Sequence, residues 1–245
     1  MRLQHATWPE VDHYLQRSTG IIIPIGSTEQ HGPSGLVGTD AICPEFIAWQ
    51  LGEADGILVA PTISIGMAQH HLKFPGSITL RPRTLIAVVL DVIASLSGQG
   101  FTRLYFLNGH GGNIATVQAA FAEYHAGHSL AGQASPVRLK LANWFQCPGV
   151  VKLSQKLFGE RDGQHATAGE ISVTNFAIVD SHRDVELDPP VAPTGPIHDA
   201  SDFRTRFPDG RMGSDPTLAS AEHGEKLVQA AIADIRHDYR QFLAG

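Results

Sequence analysis

The sequence contains little cysteine and few aromatic residues. Only two cysteines, Cys43 and Cys147, occur among 245 residues, and they lie far apart in the chain. A disulfide framework and a cysteine-based zinc site are therefore excluded. No basic run with interleaved aromatic residues occurs, and aromatic residues make up 7% of the chain. We therefore expect no nucleic acid among its partners.

Long hydrophobic runs are missing as well. The first residues, MRLQHATWPEVDHYL, are polar and lack the apolar core of a signal peptide. No apolar run is long enough to cross a bilayer. The sequence therefore predicts a cytoplasmic protein without a membrane partner. Its net charge of -6 is a mild acidity that favours solubility.

The length and composition predict one globular domain over residues 1–245. Hydrophobic residues make up 42% of the chain, an ordinary value for a folded domain. Short apolar segments predict strands, whereas a spacing of three to four residues between apolar positions predicts helices. The predicted strands cover 21–25, 57–63, 103–107 and 137–143. The predicted helices cover 41–51, opened by Asp40, and 83–97, 114–124, 167–179 and 218–243. Residues 144–164 look irregular, and 180–216 look rich in loops.

Strands that alternate with helices indicate the α/β class. We expect a layered sandwich whose mainly parallel central sheet is flanked by helices on both faces. In such sheets, ligands bind beyond the carboxyl ends of the strands. The loops STEQHG (27–32) and NGHGGN (108–113) both follow predicted strands, so we examine their side chains together.

Glu29, His31 and Asp40 lie in one glycine-rich loop. If the chain stays extended after the first strand, Glu29 and His31 project to the same side. Asp40 follows several glycines, which let the loop fold back. This set of oxygen and nitrogen ligands suits Zn²⁺, Mn²⁺ or Fe²⁺. The alternatives are a helix cap for Asp40, a solvated charge for Glu29 and a structural histidine for His31.

His110 stands in NGHGGN between glycines at 109, 111 and 112, which leave room for an ion or a substrate beside it. The alternative is an ordinary strand-to-helix turn that binds an anion. The segment has neither the Walker spacing nor the dinucleotide GxGxxG spacing. We treat His110 as a candidate metal ligand.

His165 and Glu170 occur together in QHATAGEIS. Glu170 either completes the metal site or is only a favourable charge in the first turn of a helix. His165 is a candidate proton shuttle beside it. His71, in a loop after a predicted strand, is a candidate for the substrate pocket. No GxSxG segment occurs, so a covalent serine mechanism has no support.

Five segments, in order along the chain, resemble the creatininase family. They are IPIGSTEQHGPSGLVGTD (23–40), HLKFPGSITL (71–80), FLNGHGGN (106–113), HATAGEIS (165–172) and MGSDPTLASAEHGE (212–225). The resemblance implies a layered α/β fold, one or two divalent metal ions (Zn, Mn or Fe) and a homo-oligomer, often a hexamer. It also implies a small-molecule substrate.

The resemblance also implies roles for individual residues. Glu29, His31, Asp40 and His110 match metal-ligand positions, and Asp40 matches a bridging one. We assign Glu170 as the remaining ligand and as a catalytic residue. His165 matches the histidine that moves protons in creatininase.

Several positions depart from the family pattern. Creatininase has an aromatic residue and an acidic ligand where this chain has Gly111 and Gly112. Ser34 replaces a polar group at the mouth of the site, and Ala168 and Ile171 replace residues of the HAGExETS motif. We therefore include Ser34, Gly111 and Gly112, with His71, among the substrate-pocket candidates.

The expected function is metal-dependent hydrolysis of a non-peptide C–N bond in a cyclic amide, lactam or formamide, by a metal-activated water. One alternative is a metal-dependent hydrolase of lactones or sugar derivatives. Another is a non-catalytic family member that binds metal or ligand. The replacements at 112 and 168 motivate the non-catalytic alternative.

Overall fold

The structure, a computed structural model, describes residues 1–245 and is built around a parallel sheet of three strands. The strands are β1 (Gly20–Ile25), β2 (Arg103–Asn108) and β3 (Arg138–Asn143), in the order β1-β2-β3. Ile25 pairs with Asn108, and Asn108 pairs with Asn143. The three carboxyl ends therefore lie level at one edge, and three of the four predicted strands are confirmed.

Eight α-helices surround the sheet. They are α1 (Trp8–Leu15), α2 (Thr39–Asp55), α3 (Pro82–Gly98), α4 (Ile114–Leu130), α5 (Pro148–Leu157), α6 (Ala168–Ala177), α7 (Ala200–Arg206) and α8 (Ala221–Ala244). The predicted helices correspond to α2, α3, α4, α6 and α8. None of the helices combines the length and the apolar character that crossing a membrane requires.

Both faces of the sheet are buried. On one face, Ile22 and Tyr105 belong to a core cluster that includes residues of α2, α5, α6 and α8. On the other face, Ile23 and Phe106 belong to a second cluster, with residues of α1, α3 and α4. Successive residues of a strand point to opposite faces, so one continuous apolar run supplies both cores. The predicted layered α/β sandwich is confirmed.

The predicted strand over 57–63 is wrong as a regular strand. This segment runs beside β1 but forms only isolated parallel bridges with it, Ile22 with Val59 and Ile25 with Ile63. Pro24 lies between the two bridges and has no N–H to donate to a neighbouring strand. The ladder is therefore interrupted at Pro24.

Two segments predicted to lack helices contain them. Residues 144–164 include α5, and 180–216 include the short helix α7. Pro148 occupies the first position of α5, where its missing N–H leaves no intrahelical bond unmade. Asp199 caps α7 by accepting hydrogen bonds from the N–H groups of Ser201 and Asp202. Pro148 and Asp199 are helix-start signals, but the loop-rich sequence around them conceals the two helices.

Candidate metal centre

The ends of β1 and β2 meet the first turn of α2 at one point. Gly26 and Gly109 directly follow these strands, and a Cβ atom at either position would collide with the backbone carbonyl of Asp40. Only glycine permits this approach. It places Asp40 between the loop that carries Glu29 and the loop that carries His110.

Asp40 does not cap its helix. Helix α2 begins at Thr39, and its N-cap residue is Gly38, which forms no side-chain cap. The Asp40 carboxylate is instead buried between two histidines. Its Oδ1 lies 3.1 Å from His31 Nε2, and its Oδ2 lies 2.9 Å from His110 Nδ1.

Glu29 is fully buried beside this pair. Its Oε2 accepts a hydrogen bond of 2.8 Å from Ser27 Oγ and lies 3.3 Å from His110 Nε2. Its Oε1 lies 3.1 Å from His71 Nε2. Neither Glu29 Oε1 nor Asp40 Oδ2 receives an in-line hydrogen bond, although both are buried. Buried carboxylate oxygens without such partners make this pocket a candidate cation site.

Main-chain carbonyls fix the ring nitrogens of the two histidines that flank Asp40. His31 Nδ1 is 2.9 Å from the carbonyl oxygen of Glu29, and His110 Nε2 is 2.9 Å from that of Met67. A carbonyl only accepts, so each of these nitrogens carries a proton and donates it. The other nitrogen of each ring therefore faces the Asp40 carboxylate. Histidines that bind metals are oriented by this kind of contact.

Glu170 lies in the first turn of α6 and has two kinds of contact. It forms a capping box with Thr167: Oε1 accepts from Thr167 N at 2.6 Å, and Thr167 Oγ1 accepts from Glu170 N at 3.1 Å. The same Oε1 lies 3.9 Å from His31 Nε2. The Glu170 side chain therefore caps the first turn of α6 and also lies beside the histidines and carboxylates of the candidate metal site.

The histidines and carboxylates form three overlapping groups, each with ligand atoms within 4.8 Å of one another. Asp40 belongs to two of them. The groups are Glu29–Asp40–His110, His31–Asp40–Glu170 and Glu29–His31–His165. The five residues expected to bind metal are therefore brought together around Asp40.

Burial and charge shift the pKa values at this centre in opposite directions. Burial lowers the pKa of His31 and His110, but the neighbouring carboxylates outweigh it and raise these values to about 10 and about 9. Burial raises the pKa of Glu29, and it raises that of Glu170 to about 7. Burial opposes ionisation of Asp40, but His31 and His110 hold its pKa well below the usual range. The centre thus has strong affinity for positive charge.

His165 sits at the edge of the centre, on the side of the cavity. Its Nδ1 lies 3.8 Å from Glu29 Oε1, and its ring centroid lies 4.6 Å from that of His31, with the ring planes tilted by 40°. Burial and the nearby His31 hold the pKa of His165 well below its usual value. The ring is therefore neutral at physiological pH and has one nitrogen free to accept a proton.

A cavity of about 760 Å³ opens over the centre. His71, Gly111 and Gly112, expected in the substrate pocket, line this cavity, whereas Ser34 does not. Ser34 is buried elsewhere, and its hydroxyl has no hydrogen-bond partner. No lysine or arginine lines the cavity.

Sequence reasoning missed the role of Gln30. This side chain is buried and contacts both His71 and His165. Its position between Glu29 and His31 was the only available signal. The carbonyl of Met67 was missed for a different reason: main-chain atoms of a loop leave no mark in the sequence.

Comparison with known proteins identifies the family of this chain. The family described as Creatininase: Creatinine amidohydrolase matches residues 4–238. Creatinine amidohydrolase of Pseudomonas putida is 27% identical over 96% of this chain and 94% of its own length. A solved creatininase in its Mn form has a TM-score of 0.86 and 24% identity, covering 100% of this chain and 99% of its own.

A second curated relative matches a shorter region. The 3-dehydro-scyllo-inosose hydrolase of Thermotoga maritima is 35% identical over 44% of this chain, and the match spans only 35% of that protein. The family match, in contrast, extends from the first residues into the last helix. On that basis the chain belongs to the creatininase family.

Proposed function

We propose that this protein is a metal-dependent hydrolase that cleaves a non-peptide C–N bond in a cyclic amide, lactam or formamide. The single observation that carries the proposal is the position of Asp40. Its two carboxylate oxygens lie 3.1 Å and 2.9 Å from ring nitrogens of His31 and His110, in a buried site. In the metal-free protein the protons of these two rings balance the carboxylate charge, and a divalent ion would take their place.

We assign the ligands to two adjacent positions that share Asp40. Glu29 and His110 complete the first position, and His31 and Glu170 complete the second. Ligand atoms held ~2.1 Å from one ion lie ~3.0–3.4 Å apart. The contacts of His31 and His110 with Asp40, at 3.1 Å and 2.9 Å, are close to this range. The oxygen and nitrogen donors fit Zn²⁺, Mn²⁺ or Fe²⁺.

Divalent ions held by these residues would supply Lewis acidity toward a substrate carbonyl and an activated water as nucleophile. The remaining chemistry belongs to the protein. Hydrolysis adds a hydroxyl group to the carbonyl carbon, breaks the C–N bond and places a proton on the departing nitrogen. His165 lines the cavity, is neutral and has one ring nitrogen free to accept a proton, so we assign it to take the proton of the attacking water and transfer it to that nitrogen.

The cavity supports a neutral or cationic small molecule as substrate. Its volume of about 760 Å³ is within the usual range for small-molecule sites. Glu160 and Asp162 line its outer part, and no lysine or arginine is present to pair with an anion. Gly111 carries no side chain, and a Cβ atom there would meet nothing within 4 Å, so the space on that side of His110 is open to a cyclic substrate.

A second candidate is hydrolysis of a lactone or a sugar derivative. The similarity to the inosose hydrolase of Thermotoga maritima favours it, because that name denotes a polyhydroxylated ring. The proposed metal chemistry is the same, since a carbonyl is polarised in either case. The two candidates differ only in the atom that leaves.

The test is reconstitution followed by an activity screen. The metal-free protein is loaded separately with Zn²⁺, Mn²⁺ and Fe²⁺ and assayed on lactams, cyclic amides, formamides, lactones and sugar derivatives. We expect turnover of a C–N substrate. Turnover of lactones or sugar derivatives alone would replace the leading proposal with the second candidate. Metal uptake without any turnover would favour the non-catalytic alternative.

A matched pair of histidine variants ties activity to the centre. His110→Ala is expected to lose metal and turnover together, because it removes a ligand of the first position. His5→Ala removes an exposed histidine from the N-terminal turn and is expected to change neither property. A fully loaded and active His110→Ala protein would refute the ligand assignment.

We further propose that the chain acts as one domain, 1–245, in a cytoplasmic homo-oligomer, as large as a hexamer. The centre combines residues from Glu29 to Glu170, and both core clusters include strands of the same sheet, which supports one unit. Both cysteines are free thiols, as is usual in a reducing compartment. The family resemblance supports the oligomer, and the net charge of -6 argues against nucleic acid as a partner.

A further inference from the structure

Four histidine rings surround the carboxylates, and one of them differs from the rest. In His31, His110 and His165, one ring nitrogen is close to a main-chain carbonyl oxygen, at 2.9 Å, 2.9 Å and 2.7 Å. His71 has no such carbonyl contact; its Nδ1 lies 2.9 Å from the side-chain Nε2 of Gln30. This difference decides where the proton of the His71 ring sits.

The orientation of the Gln30 amide follows from its neighbours. The N–H of Gly32 lies 2.8 Å from Gln30 Oε1 and only donates, so this atom is the amide oxygen. The carbonyl of Gly210 lies 2.8 Å from Gln30 Nε2 and only accepts. Gly210 also gives this amide its space, since a Cβ atom there would collide with Gln30 Oε1. One N–H of Nε2 is thus used, and one remains.

The remaining N–H has two neighbours, His71 Nδ1 and His165 Nε2, each at 2.9 Å. His165 Nε2 is also 2.7 Å from the main-chain carbonyl of Gln30 and therefore carries a proton of its own. It cannot accept a second one from the amide. The amide accordingly donates to His71 Nδ1, which carries no proton.

We infer that Gln30 is a positioning residue that sets the tautomers of both histidines at the mouth of the centre. Through its side-chain amide it keeps the His71 proton on Nε2, which lies 3.1 Å from Glu29 Oε1. Through its main-chain carbonyl it keeps the His165 proton on Nε2 and leaves Nδ1, which lies 3.8 Å from Glu29 Oε1, without a proton. His71 therefore presents an N–H group and no lone pair beside Glu29, whereas His165 is ready to accept a proton.

The tautomers of His71 and His165 can be tested whether or not the protein has the proposed function, but the effect on kcat rests on that function. Gln30→Glu tests both, because a carboxylate of the same shape accepts at the position where the amide donated. We expect the His71 proton to move to Nδ1 in this variant. Gln30→Met, which neither donates nor accepts, is the second variant and should leave His71 in a mixture of tautomers. Gln133→Glu adds the same charge at an exposed position as a matched control.

The readout is long-range ¹⁵N–¹H spectroscopy of the histidine rings in full-length protein, metal-free and loaded with Zn²⁺. His71→Phe and His165→Phe variants assign the signals. We expect protonated Nε2 on both rings in the unaltered protein, and a changed His71 pattern in the Gln30 variants only. A His71 ring protonated on Nδ1 in the unaltered protein would overturn the inference, as would an unchanged pattern in both Gln30 variants.

Zinc content and kinetics separate this inference from the proposed function. Loss of contacts that orient a metal site typically costs ~10–100-fold in affinity or activity. We expect a fall of that size in kcat for Gln30→Met on whichever substrate the screen identifies, with a smaller change in KM. Normal tautomers without zinc uptake would refute the proposed function alone. Zinc uptake and turnover with the opposite tautomers would refute the inference alone.

Discussion

Gly111 and Gly112, the two glycines after His110, provide a testable prediction, because the space around a Cβ atom differs between them. A Cβ atom on Gly112 would collide with His110 Nε2 and lie 2.7 Å from the carbonyl oxygen of Met67. A Cβ atom on Gly111 would meet nothing within 4 Å. Neither glycine has a positive φ, so alanine fits the backbone at both positions. Gly112→Ala and Gly111→Ala therefore form a matched pair.

The expected effect of Gly112→Ala follows from the ring that must move. The new methyl group forces His110 away from its 2.9 Å hydrogen bond to the Met67 carbonyl. Losing that bond costs ~0.5–1.5 kcal/mol. The ring also loses its orientation, and comparable losses weaken metal binding ~10–100-fold, or ~1.4–2.7 kcal/mol. Gly111→Ala should bind metal normally and gain at most ~1 kcal/mol of stability.

Competition with a chromophoric chelator measures both Zn²⁺ affinities, and thermal unfolding of the metal-free proteins reports stability. We expect weak binding in Gly112→Ala and unchanged binding in Gly111→Ala. Equal affinities in the two variants would refute the reasoning, whether both are normal or both are weakened. In either case, close contact at Gly112 would not be what orients His110.

Three further predictions address proton transfer, pH and stability. His165→Ala should keep its metal but lose ~10²–10⁴-fold in kcat, and unchanged turnover would exclude it as the proton carrier. Without metal, His31 and His110 have pKa values raised to about 10 and about 9, so both are protonated at neutral pH. Metal binding must release these protons, so the metal affinity should rise with pH up to about 9–10. Calorimetry in buffers of different ionisation enthalpy measures the number of protons released. A metal affinity that does not change with pH would contradict the prediction. Arg211 is fully buried and donates hydrogen bonds to Asp209 and to the carbonyls of residues 189, 190 and 214. Arg211→Met should therefore lower the free energy of unfolding by about 2–4 kcal/mol, measured by denaturant unfolding. A loss below about 0.5 kcal/mol would show that those acceptors find other partners.

The parallel sheet could be predicted from the sequence because both of its faces are buried. The run at 21–25 is apolar throughout, since alternate residues enter opposite cores, and that pattern identifies a parallel strand. The segment 57–63 is also largely apolar but lacks a regular ladder. Pro24 on the neighbouring strand and Pro61 within the segment both lack an N–H group, and the pairing shifts by one residue between the two bridges. Helix α5 was missed because its apolar face is short and follows irregular chain.

The candidate metal centre could be predicted only in part, because some of its contacts depend on tertiary packing. Glu29, His31 and His110 lie at strand ends, where side chains of an α/β sheet converge, so their proximity could be expected. The capping alternative for Asp40 is excluded by the start of helix α2, which begins at Thr39 with Gly38 as its N-cap residue. The contacts of Gln30 join residues as distant in sequence as Gly210, and pairings of that kind depend on packing that no local pattern specifies.

The most direct test is anomalous scattering from crystals of the Mn²⁺- or Zn²⁺-loaded protein, with data collected on both sides of the metal absorption edge. Two peaks, ~3.5–4 Å apart and on either side of the Asp40 carboxylate, are the expected result. One should lie against Glu29 and His110, and the other against His31 and Glu170. Loaded crystals with no peak within reach of Asp40, or with peaks only at surface residues, would contradict the account.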